Sequence, residues 1–338
     1  MGVNRQDATS PAADGPEARA GTPATTDRPT ALRGVHTIMP TPFTPDGRLD
    51  EESLARLTRF LVARGVDGVT VLGFLGEAHK LSEAEQDVVV TVTVQAAGGR
   101  VPVFAGASAG GVKVGVERGL RFVELGAAGL MVAPVAPEAA TVLAQYRELD
   151  EALAASGGRV PVIVHDYPAS TGVRVTADTL ARLHEDVASV TTVKLEDPPT
   201  TVKLRALKRL APGMSVLGGL GGLYLAEEMA AGADGVMTGV SFPELLLGMV
   251  RGAADPDPAR RRDAADAYRR AAAFLAFEFQ PVVGLALRKE VYRRRGAIAS
   301  GLVRAPGAQL DDELARELTD QLEHLAAARP DLTAVPAA

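Results

Sequence analysis

The sequence predicts a (β/α)8 TIM barrel, and three observations favour this fold. Short runs rich in Val, Ile and Leu recur eight times between residues 34 and 240. Stretches with the apolar periodicity of surface helices separate them. The runs do not alternate between polar and apolar residues, which is typical of parallel strands buried on both faces. Eight such units in roughly 220 residues match the size of a barrel with additional C-terminal helices after it.

The elements can be assigned in chain order. The predicted strands are GVHTIM (34–39), GVTVLG (68–73), VPVFAGA (101–107), GLMVAP (129–134), VPVIVHD (160–166), SVTTVK (189–194), MSVLGG (214–219) and GVMTGV (235–240). Several intervening helices begin after Ser, Thr or Asp and end at Gly, as helix caps do. A doubly wound open sheet is the competing architecture. No GxGxxG turn follows the first strand, so the barrel is favoured.

We expect four regions along the chain. Residues 1–32 are rich in Pro, Ala, Thr, Asp and Gly, a composition that predicts a disordered N-terminal tail. Residues 33–255 form the barrel, and 256–327 form C-terminal helices packed on it. Residues 328–338 are predicted to be a second disordered tail.

The composition excludes several classes of protein. Among 338 residues there is no Cys, which excludes disulfides, thiolate zinc sites and a cysteine nucleophile. The net charge of −6 offers no basic face for nucleic acid. No apolar stretch reaches the ~18 residues of a membrane span, and no secretory signal is apparent. We therefore expect a cytoplasmic protein without nucleic-acid or membrane partners.

Lys194 ends the sixth predicted strand, and Glu196 follows two residues later on the same face if the strand continues. In a barrel, side chains at the carboxyl ends of the strands gather at the mouth, where catalysis takes place. An apolar mouth favours the neutral form of an amine, which is the nucleophile. The alternative is a lysine that is solvated or simply paired with Glu196.

Several stretches in this order resemble the dihydrodipicolinate synthase/N-acetylneuraminate lyase family. They are TPFTPDGRLDEESL (41–54), GFLGEAHKLSEAE (73–85), VPVFAGAS (101–108), YPASTGV (167–173) and VKLED (193–197). The resemblance covers about residues 33–325. It implies a (β/α)8 barrel that assembles as a homotetramer or homodimer. It also implies that Lys194 forms an iminium with a 2-oxo acid, an electron sink that supports lyase chemistry without a cofactor or a metal.

The chain departs from this family at the residues that relay protons. Phe74 and Leu75 replace the two hydroxyl residues of the usual GTTGE motif. His165 stands where the family has a tyrosine, and Ser170 aligns with the arginine of the lysine-pathway synthase. The resemblance therefore argues against a role in lysine biosynthesis and against sialic acid cleavage.

The predicted catalytic residues are Lys194 as nucleophile, His165 as general acid or base, and Tyr167 as a replacement for the missing phenol. Backbone N–H groups of the 73–77 loop are expected to bind a carboxylate. The predicted substrate-binding residues are Gly73, Phe74, Leu75, Gly76, Glu196, Gly218 and Val240.

The sequence thus predicts a class I aldolase, lyase or dehydratase acting on a pyruvate-like 2-oxo acid or a 3-deoxy-2-oxo sugar acid. One alternative is a non-catalytic family member that binds 2-oxo acids in a decayed site. Another is a metal-dependent barrel aldolase, which needs several His, Asp or Glu ligands at the strand ends. Of the five histidines, only His79 and His165 lie near predicted strand ends.

Overall fold

The computed structural model describes residues 1–2 and 28–332. Within them, eight parallel strands close into a barrel, since the first strand pairs with both the second and the eighth. The predicted fold class is confirmed. The strands are β1 (Gly34–Ile38), β2 (Gly68–Val71), β3 (Val103–Gly106), β4 (Gly129–Val132), β5 (Val162–Asp166), β6 (Val190–Leu195), β7 (Ser215–Gly218) and β8 (Gly235–Thr238).

Helices follow every strand, and further helices follow the last one. Those of the barrel are α1 (Glu51–Arg64), α2 (Glu83–Ala97), α3 (Val112–Glu124), α4 (Ala139–Ala155), α5 (Pro168–Thr171), α6 (Ala177–Asp186), α7 (Thr200–Leu210), α8 (Leu225–Ala230) and α9 (Pro243–Ala253). The C-terminal region contains α10 (Pro258–Arg269), α11 (Ala272–Glu278), α12 (Gly284–Arg294) and α13 (Asp312–Ala328). None of the described helices is long and apolar enough to cross a membrane.

Local sequence explains where several helices begin and end. The Asp50 side chain accepts from the backbone N–H of Ser53 at the start of α1. Ser82 and Glu85 form a reciprocal capping box at the start of α2. Gly65 ends α1 with a φ of 87°, a left-handed conformation that glycine adopts without a Cβ clash.

The core lies in two layers, which explains why the strands read as continuous apolar runs. One face of the strands packs against the helices. The other face fills the barrel interior, where the buried cluster consists of Leu32, Ile38, Phe104, Met131, Ile163, Leu217 and Met237. The interior is therefore packed with side chains, and the mouth is left as the place for a site.

The predicted tails lie mostly outside the described residues. Residues 28–32 are described, however, and they pack against the barrel rather than extending away from it. The N–H of Leu32 donates to Thr192 Oγ1 at 3.1 Å, and its carbonyl accepts from Ser215 Oγ at 2.5 Å. These contacts place the start of the packed chain a few residues before 33.

The C-terminal helices contact the loops at the mouth. Glu278 of α11 accepts from the backbone N–H of Ser241 at 2.7 Å. Tyr292 Oη of α12 donates to the carbonyl of Val240 at 2.8 Å. These bonds bring α11 and α12 beside the loop that follows β8. The division of the chain at residues 255 and 256 stays a prediction.

Candidate active site

Lys194 and His165 are neighbours across two adjacent strands. The register of β5 and β6 places the Cα of His165 opposite that of Lys194. Both side chains are buried, and Lys194 Nζ lies 3.1 Å from His165 Nε2. Alternation sends the next residue of β5, Asp166, to the other face, where it pairs with Lys203 of α7 at 2.6 Å. The strand register therefore places the Lys194 amine next to the His165 imidazole.

Glu196 completes a buried triangle with these two residues. Its Oε2 lies 2.7 Å from Lys194 Nζ and 2.8 Å from His165 Nε2. Its Oε1 accepts from the backbone N–H of Leu220 at 2.6 Å. A Cβ on Gly219 would lie only 2.3 Å from Glu196 Cγ, so glycine is required there. We call Lys194, His165 and Glu196 the mouth cluster.

The charge state of the mouth cluster follows from burial and mutual contact. Burial by itself would raise the pKa of Glu196, but the Lys194 ammonium and the hydrogen bond from His165 outweigh it and hold that pKa at about 2. Burial, followed by the positive charge of Lys194, lowers the pKa of His165 below its ordinary value. Near neutral pH the cluster therefore contains an ionised carboxylate and a neutral imidazole.

A small cavity of about 110 Å³ opens onto the mouth cluster. Seven of the ten predicted site residues line it, and they are Gly73, Phe74, Leu75, His165, Tyr167, Lys194 and Glu196. The other three do not line it. The carbonyl of Gly76 accepts from Thr41 Oγ1, Gly218 packs against the carboxylate of Glu228, and Val240 is buried beneath Tyr292.

Three aromatic rings form one side of the cavity. The ring of Tyr167 stacks on that of His165 at 5.6 Å, and Phe74 lies about 6 Å from both rings. β5 ends at Asp166, so Tyr167 lies at the boundary of α5 rather than within the strand. It nevertheless lines the cavity, and its catalytic role stays a prediction. Phe74 lines the cavity and is 48% exposed to solvent.

The loop after β2 is held in an unusual backbone conformation. Leu72 and Glu77 have φ values of 60° and 53°, a region that non-glycine residues rarely occupy. Such strain persists only where the surroundings enforce it. The N–H groups of Gly76 and Glu77 are used within the loop, by Gly73 and Phe74. Among the described residues, those of Phe74 and Leu75 donate to no acceptor.

The side chain of Glu77 holds this loop in its conformation. The buried carboxylate of Glu77 pairs with Lys80 at 2.8 Å and with Lys289 of α12, and it accepts from the backbone N–H of Arg304. Local sequence cannot indicate these partners because two of them lie more than 200 residues away.

Sequence reasoning missed several residues that line the cavity. They are Ile38, Met131, Thr238 and Phe279. Thr238 ends β8, so inward alternation at that strand end was the signal that could have found it. Phe279 comes from the C-terminal helices, and nothing local indicates its position. The described residues contain no group of three or more His, Cys, Asp or Glu placed to hold a metal ion.

Comparison with known proteins identifies relatives of the whole barrel. The profile of the dihydrodipicolinate synthetase family matches residues 31–325. L-2-keto-3-deoxyarabonate dehydratase of Azospirillum brasilense is 32% identical over 85% of this chain and 92% of its own length. 4-Hydroxy-tetrahydrodipicolinate synthase of Chlorobium chlorochromatii is 31% identical over 86% of this chain and 96% of its own length.

A solved structure shows the same relationship. The crystal structure of dihydrodipicolinate synthase from Rhodopseudomonas palustris superposes with a TM-score of 0.81 at 35% identity, covering 89% of this chain and all of that chain. Together these matches confirm the resemblance that the motifs indicated. They also confirm the predicted class of enzyme, a Schiff-base aldolase, lyase or dehydratase.

Proposed function

We propose that this chain, which belongs to the dihydrodipicolinate synthetase family, dehydrates a 3-deoxy-2-oxo sugar acid through a Schiff base on Lys194. The observation that carries this proposal is the mouth cluster. A buried amine, a carboxylate and an imidazole lie within 3.1 Å of one another under a cavity at the barrel mouth.

The reaction begins with the amine of Lys194. It attacks the C2 carbonyl of the substrate, and the carbonyl oxygen leaves as water to give a protonated imine. This cation acidifies the C3–H bond, and loss of that proton gives an enamine. The enamine expels the C4 hydroxyl as a second water, and hydrolysis of the imine consumes one water and frees Lys194. The net change is the loss of one water.

The rest of the mouth cluster handles the protons. The anionic Glu196 stabilises the ammonium of Lys194 before attack and the iminium after it. His165 Nε2 touches both partners, so a proton can pass between Lys194 and Glu196 through it. A neutral imidazole can take the C3 proton and return it to the leaving C4 hydroxyl. His165 thus takes over the task of the family's tyrosine.

The substrate carboxylate binds to the loop after β2. The N–H groups of Phe74 and Leu75 have no acceptor among the described residues, and both residues line the cavity. Two backbone donors can hold a carboxylate without the hydroxyl groups that this loop lacks. The apolar side chains then exclude water from the reacting carbons.

Two features favour a sugar acid over the substrates of lysine biosynthesis. Ser170 lines the cavity where an arginine would grip a second carboxylate in the lysine-pathway synthase. A relative that matches most of this chain is a dehydratase of 2-keto-3-deoxyarabonate. Aldol cleavage of a similar acid is the second candidate, because the same iminium also supports C–C cleavage when the base takes the proton of the C4 hydroxyl.

Borohydride trapping tests the proposal. The protein is incubated with pyruvate, 2-oxobutyrate or L-2-keto-3-deoxyarabonate, reduced, digested and analysed by mass spectrometry. We expect a stable adduct on the peptide that contains Lys194, with product analysis separating dehydration from cleavage. Labelling of a different lysine, or of none with any acid, contradicts the assignment.

The assembly and location remain those expected from the sequence, a cytoplasmic homotetramer or homodimer. Exposed apolar side chains such as Val114, Val202 and Leu210 are compatible with contact between copies. Light scattering coupled to size exclusion measures the mass directly, and a monomer at micromolar concentration contradicts this part of the proposal.

A further inference from the structure

A second and larger cavity adjoins the one over Lys194. Its volume is about 440 Å³ against about 110 Å³. Gly73, Phe74, Met131 and His165 line both cavities, so the two spaces adjoin at these four residues. The larger cavity lies in the range of about 300–1,000 Å³ that is typical of small-molecule sites. Nothing in the reaction at Lys194 uses it.

The polar side chains that line the larger cavity differ in whether they already make hydrogen bonds within the protein. Ser82 caps α2, and the side-chain amide of Gln86 donates to two backbone carbonyls. His79, in contrast, is exposed and makes no hydrogen bond to any described residue. Arg118 donates from Nη1 to the carbonyl of Ser108 at 2.7 Å, but its Nε has no acceptor among the described residues.

The polar side chains that line the larger cavity indicate which kind of ligand group fits there. Its charged members are one guanidinium, Arg118, and one carboxylate, Glu83, which lies 3.6 Å from Arg121 of α3. Two imidazoles (His79 and His165), an amide and two hydroxyl groups complete the polar side. Such a mixture of donors and acceptors without net charge matches hydroxyl groups, which both donate and accept. A second anion or a purely apolar chain matches it less well.

We propose that the larger cavity binds the hydroxylated tail of the substrate, from C4 outward, while C1 to C3 lie over Lys194. This inference rests on the proposed function and extends it, because it assigns a place to the hydroxylated end of the substrate, beyond the carbons that lie over Lys194. His79 and Arg118 are the specificity-determining residues of this subsite. Phe74 marks the point where the substrate turns from one cavity into the other.

The test compares a long and a short substrate on the same variants. His79→Trp fills the subsite from an exposed position, and Arg118→Met removes its positive charge. We measure kcat/KM for L-2-keto-3-deoxyarabonate and the rate at which pyruvate and borohydride label Lys194. The ratio of kcat/KM for L-2-keto-3-deoxyarabonate to the rate of labelling by pyruvate is expected to fall at least tenfold in each variant. His324→Trp on α13 and Arg205→Met on α7 are exposed controls whose ratio stays at the wild-type value.

The outcomes separate this inference from the proposal on which it rests. If pyruvate labels Lys194 but both variants keep the wild-type ratio, the tail lies elsewhere and the subsite is wrong. An equal loss with both substrates also overturns it, because the effect then concerns the reacting end. If no 2-oxo acid labels Lys194 in the wild-type protein, the proposed function itself fails, and the subsite fails with it.

Discussion

Among the described residues, lysine and glutamate side chains meet in two buried clusters, and the two differ in what surrounds them. The first is the mouth cluster of Lys194, His165 and Glu196. The second joins Glu77 to Lys80 and Lys289, and we call it the clamp cluster. The side chains of Glu77 and Lys289 have no solvent-exposed surface at all. Each pair contains an amine bound to a carboxylate, so burial and charge pairing by themselves do not distinguish them.

In the clamp cluster, protein groups surround the amine of Lys289. Lys289 Nζ donates to Glu77 Oε1 and to the carbonyl of Leu302, and it lies 4.5 Å above the ring of Phe43. Burial lowers the pKa of Lys289 to about 8. It lines neither of the two cavities described above. A lysine with a lowered pKa is therefore not a nucleophile unless a substrate can reach it.

The mouth cluster adds the two things that the clamp cluster lacks. Lys194 lines a cavity, and His165 offers a neutral base in contact with both the amine and the carboxylate. The difference lies in access and in a partner that can carry a proton. The proposed reactivity of Lys194 therefore depends on its surroundings and not on the lysine side chain by itself.

The largest expected effect separates the two lysines by activity. Lys194→Arg should reduce turnover by more than about 10⁴-fold, because a guanidinium stays protonated and cannot form the imine. Turnover is measured by release of product, and circular dichroism checks the fold. Wild-type protein serves as its own control, since pyruvate and borohydride together should label Lys194 and leave Lys289 unmodified. Equal labelling of both lysines would remove the contrast between the clusters.

The second effect concerns stability. Lys289→Met should lower the free energy of unfolding by about 3–5 kcal/mol, since it leaves the buried Glu77 with one fewer partner. Urea unfolding at pH 7 measures this change, and Lys113→Met on the exposed face of α3 is the matched control. A stable Lys289→Met variant that no longer forms an imine at Lys194 would show that the clamp cluster has a chemical role.

A third carboxylate, Glu228, shows what happens when a buried acid lacks a cation. It packs against Gly218, next to the glycine that Glu196 covers, and its oxygens have no hydrogen bond of good geometry within the described part of the chain. The Thr200 side chain lies close enough to favour ionisation slightly. Burial dominates and raises the pKa of Glu228 to about 7, whereas Lys194 keeps that of Glu196 at about 2.

This contrast predicts a pH dependence of stability. The folded state favours protonated Glu228, so its destabilising effect is absent below the ordinary value of 4.5, grows between 4.5 and about 7, and is complete above that. Glu228→Gln removes the effect. The advantage of the variant over wild type should increase by about 3 kcal/mol from pH 4.5 to pH 8. Urea unfolding at several pH values measures it, with the exposed Glu227→Gln as control; an advantage independent of pH would contradict the assignment.

The smallest effect tests Tyr167 against His165. Tyr167→Phe keeps the ring that stacks on His165 and loses only the phenol, which has no partner among the described residues. We expect kcat to fall less than about tenfold, whereas His165→Phe should lose about 10² or more. The two variants are compared by kcat over a range of pH. A loss above 100-fold in Tyr167→Phe would transfer the proton relay to the phenol.

Much of the fold and part of the site could be predicted because they depend on local patterns. The eight apolar runs predicted the eight strands, and alternation along β6 predicted that Lys194 and Glu196 share a face. The local signals for α5 and α9 are weaker, because α5 is a single turn and α9 follows β8 without a Ser, Thr or Asp cap. Their positions depend on packing against the barrel.

Local sequence was sufficient for the barrel and for an amine at its mouth, because strand periodicity and side-chain alternation are properties of neighbouring residues. Packing in three dimensions decided the rest. The register of β5 against β6 made His165 the partner of Lys194. The fold also brought Lys289 into contact with Glu77, which lies 212 positions away in the chain. Packing likewise leaves Glu228 without a cationic partner among the described residues. The charge state of a buried group depends on which other groups contact it, and the separation of residues along the chain does not predict those contacts.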